Sequence, residues 1–348
     1  MKPWDNQKGI PLEIEKSPFL YLPRIRYMRI VDEGLEIGNY CHPAQERTLE
    51  IILLDNVRPQ THRLICPLWM AYFDTGVMDW LYEHNISLTM ISRDWHSVDV
   101  VVPRHAKSNQ VFLKRKQFLL TWEQGGRAVA SRLMEKKLRA QSRVLEEEGF
   151  LEESKRIKGI ALTVKKVGQV TSLPADLLAW EGQASAIYWN ALKDIPVVWT
   201  NGGKNLPSER FITLGERQGM NRNGRYAITP YHGMLNYLVG MTIGRLRIEV
   251  VGYGLDTDAG FYHVDDEYRE SLLWDLIEPL RPPLEGQLID QCRKGLAVKD
   301  FLYERTTGRV RLDMDMRCRL VETYDTWIGQ EAHGMLLWYK RELMREGD

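Results

Sequence analysis

Asp275 and Glu278 stand three residues apart in Ser271-Leu-Leu-Trp-Asp-Leu-Ile-Glu-Pro-Leu-Arg281. Ser271 can cap a helix there, and Pro279, then Pro282 and Pro283, would end it, so both carboxylates project from one helical face. Two carboxylates on one face repel each other unless a proton or cation lies between them, and a hard divalent ion is the usual occupant. His263 closes Gly260-Phe-Tyr-His263, an apolar approach that can hold an imidazole close to the helix start. Glu181 opens Glu181-Gly-Gln-Ala184 after a helix whose start Ser172 and Pro174 mark, and its small neighbours let a backbone or ligand come near the carboxylate. Taken singly, each of these is more often an ordinary structural residue. Asp256-Thr-Asp258 with Glu267 has the outline of a calcium loop, but Phe261 stands where the sharp turn needs glycine, which excludes an EF-hand.

The elements that must position these groups fall into two styles. From Arg24 to Pro103 the sequence reads as short strands and turns: Ile25 to Val31, a turn at Asp32-Glu-Gly34, Leu35 to Ile37, and a run from Leu49 to Leu54. A helical spacing follows Pro67 through Leu68, Ala71, Tyr72, Met78 and Leu81. Strand-like alternation resumes at Ile86, Leu88 and Met90, with a turn over Ser92 to Trp95 and a last strand over Val98 to Val102. Beyond Pro103 apolar residues recur at three and four, which predicts helices. The expected fold is therefore α+β: a small, mostly β domain over residues 1–104 and a larger all-α domain over residues 105–348 that carries the chemistry.

Composition sets the outer limits. A chain of 348 residues, 44% hydrophobic and 10% aromatic, can bury a full core and is neither disordered nor fibrous. Basic and acidic residues balance at 47 each, so any signal for a polyanion must be local. It is local: between Arg104 and Leu145 eleven Lys or Arg face only Glu123 and Glu135, and polyanion contact is a reasonable reading of that stretch beside the plainer one of solvated helix faces. A second, less pure stretch runs from Arg293 to Arg319 with Phe301 and Tyr303 among the charges. Asn201 to Ser208 and Gly219 to Gly224 read as exposed loops. Cys41, Cys66, Cys292 and Cys318 form no C-x-x-C pair and are expected as reduced core thiols. No signal-peptide pattern and no apolar run near the ~18 residues of a membrane span is present, so a soluble, cytoplasmic protein is expected.

Four segments in order, Trp180 to Trp189, Pro230-Tyr-His-Gly-Met-Leu-Asn-Tyr237, Gly254 to His263 and Ser271 to Pro282, resemble the CRISPR-associated integrases of spacer acquisition, the Cas1 family. The resemblance spans nearly the whole chain, is strongest from Trp180 to Pro283 and is thin before residue 60. One departure is His232, which stands where the family usually has asparagine.

The resemblance implies a metal-dependent DNA endonuclease and integrase that inserts short duplexes into a CRISPR array by attack of a 3′-hydroxyl on a phosphodiester. It puts a Mg²⁺ or Mn²⁺ ion on Glu181, His263 and Glu278, with Asp275 as an acidic neighbour in the catalytic set. Lys114, Arg115, Lys116, Arg132, Lys136 and Arg139, with Arg281 and Arg293 nearer the metal, are then the expected contacts to DNA phosphates. The implied partners are double-stranded DNA as prespacer and repeat, a second copy of the chain paired through the β domain as a homodimer, and a Cas2-family protein. Two other readings stay open at this point: a stand-alone transposon-type integrase or DNA-repair nuclease of the same family, and a DNA-binding scaffold without activity.

Overall fold

The structure is a computed structural model that describes residues 19–21, 25–31, 34–40, 49–55, 63–67, 72–84, 86–91, 97–101, 108–122, 124–167, 174–200, 211–216, 227–263, 270–304 and 306–345. The turn at Ser92 to Trp95, the loops at Asn201 to Ser208 and Gly219 to Gly224, Arg104, Lys107 and Cys41 lie outside the described residues. Two compact units are present, residues 1–114 with 248–255 and residues 115–247 with 256–348.

The first unit carries β1 (Phe19–Tyr21), β2 (Ile25–Val31), β3 (Gly34–Tyr40), β4 (Leu49–Asp55), β5 (Arg63–Pro67), β6 (Tyr72–Phe73), α1 (Thr75–Glu83), β7 (Ser87–Ile91) and β8 (Ser97–Val101). They form two four-stranded sheets, ordered β1-β5-β7-β8 and β4-β3-β2-β6. On β3 the two-residue period sends Leu35 and Ile37 inward and Glu36 outward, where it accepts from Tyr27 Oη at 2.9 Å and Arg29 Nε at 2.7 Å. A register irregularity between Ile25 and Tyr27 breaks that period on β2 and turns both Ile25 and Met28 into the core. The core is closed by Leu64, Cys66 and Leu88 from the other sheet and Val77 and Leu81 from α1. Burial pushes the Cys66 thiol up to about 12, as expected of a core cysteine.

Of the helical spacing expected after Pro67, Leu68 and Ala71 lie outside the described residues, Tyr72 falls in a strand, and Met78 and Leu81 fall in a helix. Pro67 ends β5, Tyr72 and Phe73 form β6, and only at Thr75 does α1 begin, because Asp74 caps it by accepting from Gly76 N at 3.2 Å.

The second unit is mainly helical: α2 (Ser108–Trp122), α3 (Gln124–Glu147), α4 (Leu151–Val167), α5 (Pro174–Leu192), α6 (Pro230–Gly252), α7 (Ser271–Ile277), α8 (Arg281–Lys294), a hairpin of β9 (Phe301–Glu304) and β10 (Arg309–Leu312), and α9 (Met314–Arg345). The first turns of α2 and the last of α6 belong to the other unit. The molecule is thus α+β, a small β region followed by a larger helical part, and the helical part also holds the antiparallel hairpin.

Its core runs through Met134, Leu138 and Leu145 of α3, Ile157 and Val164 of α4, Ala184 and Tyr188 of α5, Met234 and Leu238 of α6, Leu284 and Leu288 of α8 and Leu320 and Ile328 of α9. Lys137 falls on this buried stripe of α3, seven residues after Ala130 and four before Gln141.

Two local expectations change. Glu181 to Ala184 lies inside α5, which continues to Leu192, so Glu181 is fixed by a helix and not by a loop after one. Ser271 is the first residue of α7 rather than its cap; Glu270 precedes it without capping, because its carboxylate accepts from Arg247 Nε at 2.8 Å. Pro282 and Pro283 open α8, where a missing N–H costs nothing.

Candidate active site

Glu181 of α5 and Glu278, the residue that ends α7, meet at a single cation, the ammonium of Lys137 on α3. Lys137 Nζ is 2.5 Å from Glu278 Oε2 and also binds Glu181 Oε1. The other two oxygens have separate donors: the Tyr262 hydroxyl donates to Glu181 Oε2 at 2.5 Å, and Arg281 Nη1 lies 3.2 Å from Glu278 Oε1. Three of the four carboxylate oxygens thus accept a hydrogen bond, the fourth, Glu278 Oε2, meets Lys137 as an ion pair, and Lys137 is the cation common to both acids.

The site is withdrawn from solvent. Lys137 is 6% and Glu278 4% exposed, while Glu181 keeps an open side. Burial by itself would push the Glu278 carboxyl up, but the charges of Lys137 and Arg281 outweigh it and hold the group well below the usual carboxylate range. Burial, followed by the Glu181 charge, pushes the Tyr262 phenol far above its ordinary value, so it remains a donor to that carboxylate.

His263 is presented by the segment after Gly260, and Asp275 on α7 shapes that segment. Asp275 Oδ2 accepts from the backbone N–H of Phe261 at 2.7 Å and of Tyr262 at 3.0 Å, and Oδ1 accepts from that of His263 at 3.0 Å. The same Oδ1 lies 2.6 Å from His263 Nδ1, which fixes the ring through that nitrogen. Asp275 is fully buried and both its oxygens are engaged, so it orients the imidazole while Glu278 faces the shared cation. The chain comes close enough only because residue 260 is glycine: a Cβ there would stand 2.7 Å from Ser271 Cβ and 2.9 Å from Asp275 Oδ2.

The start of the segment is tied as firmly. The Gln117 side chain, buried on α2, donates to the carbonyls of Asp256 at 2.6 Å and Ala259 at 3.1 Å and accepts from Asp256 N at 2.9 Å. Leu272 N adds a bond to the Thr257 carbonyl at 3.0 Å.

Among the described residues no three His, Cys, Asp or Glu side chains are closed around one point as a ready metal cage. What the structure does bring together is two carboxylates from different helices on one positive charge, and, in the segment that carries Tyr262, a histidine whose Nδ1 a carboxylate holds.

The basic residues expected at DNA are placed differently from one another. Lys114 and Arg115 are exposed on α2 and Lys116 is half-buried there. Lys136 is exposed, with its ammonium 6.0 Å from the Trp338 ring centre, and Arg139 is exposed but bound to Glu135 at 2.8 Å. Arg132 is half-withdrawn into an ion pair with Glu342 at 2.7 Å, Arg293 pairs with Glu148, and Arg281 belongs to the carboxylate site. From the second basic stretch, Arg309, Arg311 and Arg317 line an open cleft with Asn236 and Tyr237. His232 is buried, with Nδ1 2.8 Å from Thr229 Oγ1 and its ring beside Trp189 and Tyr231, a structural position.

Lys137 and Tyr262 were not singled out from the sequence. Lys137 did leave a signal, since a lysine on the apolar stripe of an amphipathic helix needs an anionic partner. Tyr262 left none beyond its place beside His263.

No helix among the described residues is long and apolar enough to cross a membrane. The profile of the family described as CRISPR associated protein Cas1 matches residues 60–326. A CRISPR-associated exonuclease Cas4/endonuclease Cas1 fusion from Rhodospirillum rubrum is 30% identical over 173 residues, 49% of this chain and 28% of that fusion, so the chain spans under a third of that relative. A CRISPR-associated endonuclease Cas1 from Thermodesulfovibrio yellowstonii is 24% identical over 293 residues, covering 79% of this chain and 84% of the relative. Among solved structures, the fold is shared with a casposase bound to integration product (TM-score 0.63, 17% identity, 93% of this chain and 96% of the other). It is shared also with a chain of a partial Cas6-RT-Cas1–Cas2 complex (TM-score 0.67, 14% identity, 94% and 96%).

Proposed function

Since the chain belongs to the Cas1 family of CRISPR-associated proteins, we propose that it is a divalent-metal-dependent DNA integrase and endonuclease that joins short duplexes to a CRISPR array. The observation that carries this reading is the meeting of Glu181 and Glu278 at one cation beside a histidine held at Nδ1 by Asp275.

Glu181, Glu278 and Nε2 of His263 would hold Mg²⁺ or Mn²⁺, and the mixed oxygen and nitrogen set suits manganese as well as magnesium. Bound there, the ion supplies Lewis-acid neutralisation of the charge that grows on the phosphoryl oxygens. The chain's own residues do the rest. Asp275 keeps His263 in one tautomer and orientation; Tyr262 and Arg281 pin the outer oxygens of the two glutamates, so both carboxylates are set before substrate arrives.

The reaction exchanges one ester for another. The 3′-oxygen of the incoming strand bonds to phosphorus, the target's own 3′-oxygen leaves with a proton, and the number of phosphodiesters is unchanged. Endonuclease activity is the same displacement with water as the attacking oxygen, and no protein nucleophile is required. Exposed Lys114, Arg115 and Lys136 serve as phosphate contacts that set position without reading bases. The proposed working assembly is a homodimer joined to a Cas2-family protein.

The test incubates the full chain, with and without a Cas2-family partner, with a short 3′-hydroxyl duplex and repeat-bearing DNA in Mg²⁺ or Mn²⁺. Joined product is expected from the unaltered chain and at least ~100-fold less from Glu181→Ala and His263→Ala. Undiminished strand transfer in either variant overturns the site.

A further inference from the structure

We propose that Lys137 is a resident counter-cation of the carboxylate pair, which a divalent ion must displace, so that this lysine sets how tightly the site takes its metal. The inference rests on the metal-site reading above.

The argument starts from the distribution of donors. Tyr262 and Arg281 each bind the outer oxygen of one glutamate, and these contacts can persist whatever sits between the acids. Lys137 alone binds an oxygen of each, Oε1 of Glu181 and Oε2 of Glu278. It therefore occupies the place of a bridging cation. Two carboxylates this close, Glu278 buried and Glu181 partly exposed, would repel each other without such a charge. The ammonium, in contact with both carboxylates, removes that repulsion and keeps the pair in register.

The same contact opposes the metal. An ammonium and a divalent ion cannot both lie between the two glutamates, since the repulsion of like charges in a withdrawn site is large. Lys137 hangs from α3 by a flexible four-carbon stem, so its head can leave while its helix stays packed. A bidentate, rigid guanidinium would not yield so readily.

The experiment measures Mn²⁺ binding to the full chain by calorimetry, without DNA, for the unaltered protein, Lys137→Met and Lys137→Gln. Thermal unfolding in EDTA and in Mn²⁺ runs in parallel. Both variants are expected to bind Mn²⁺ roughly tenfold more tightly or better, to melt lower in EDTA, and to gain more from Mn²⁺ than the unaltered chain does. A purely structural ion pair would lower the melting temperature in EDTA without tightening Mn²⁺ binding. Equal or weaker Mn²⁺ binding by the variants, with binding by the unaltered chain intact, overturns the displacement role and leaves the metal site standing. Absence of Mn²⁺ binding in all three overturns both readings.

A measurement on the unaltered chain guards against variants that fail to fold. In protein labelled with ¹⁵N-lysine, the Lys137 ammonium resonance is expected to shift on adding Mg²⁺; an unmoved resonance at saturating Mg²⁺ counts against displacement.

Discussion

Asp275 Oδ1 lies 2.6 Å from His263 Nδ1, and the same carboxylate accepts the backbone N–H groups of three successive residues ending at His263. One side chain therefore sets both the path of the segment and the orientation of the ring it carries. Asp275→Asn offers one acceptor oxygen where two were used and turns a donor toward N–H groups. It should lower strand transfer about 10–100-fold through misorientation of His263. Loss of the charged acceptor should cost roughly 2–3 kcal/mol in stability. Denaturant unfolding beside strand-transfer rates checks both; wild-type rates in a folded variant would remove Asp275 from the orienting role.

Gly260→Ala tests the close approach that lets Asp275 reach the segment. The added methyl would meet Ser271 Cβ at 2.7 Å and Asp275 Oδ2 at 2.9 Å, so α7 and the segment must separate. A stability loss of about 1–3 kcal/mol is expected, read as a lower unfolding midpoint, together with weaker activity. Unchanged stability would mean that the segment is not packed as described.

The acid branch of stability carries the mark of Glu278. Its carboxyl is depressed in the folded chain, so it binds fewer protons there than when unfolded. Its contribution is present above the ordinary carboxylate value of 4.5 and is lost as pH falls below that value toward the lower folded one. Glu278→Gln should therefore flatten the fall of melting temperature below about pH 4.5. Parallel pH profiles for the two proteins would assign the acid sensitivity elsewhere.

Two arginines of the basic stretch should separate cleanly. Arg115 is exposed, and Arg115→Ala should weaken binding to any duplex alike and reduce the slope of log affinity against log salt by about 1. Arg132 is paired with Glu342 at 2.7 Å, and Arg132→Ala should instead cost about 1–2 kcal/mol of stability, with a smaller effect on the salt slope. Fluorescence anisotropy over a salt series, set beside thermal melts, distinguishes them; a reversed pattern would exchange their roles.

Much of this was legible in the residues, to the extent that it depends on short periods. Alternation placed β3 at Leu35 to Ile37 and β7 at Leu88 to Met90, because a strand with one buried face writes itself into the sequence. The start of α1 was not legible, since Tyr72 continues a helical spacing yet lies in β6, and the Asp74 cap decides the boundary. In the site, the motif order marked Glu181, His263 and Glu278. It could not show that Asp275 and Glu278, three residues apart, serve different partners: Glu278 lies at the end of α7, and its carboxylate turns to α3 while that of Asp275 turns to the segment before His263. Nor could composition tell Lys137 from its neighbour Lys136, one buried between acids and the other exposed, because that difference arises from which face of α3 meets α5.

Gln117 gives the molecule a mechanical property. It holds the turn at Asp256 to Ala259 by three hydrogen bonds, and on the same helix it directly follows Arg115 and Lys116. The segment that leads to His263 is thus anchored at its far end to the helix that carries the exposed Arg115, so a displacement of α2 at Gln117 would have to move the start of that segment or break these bonds.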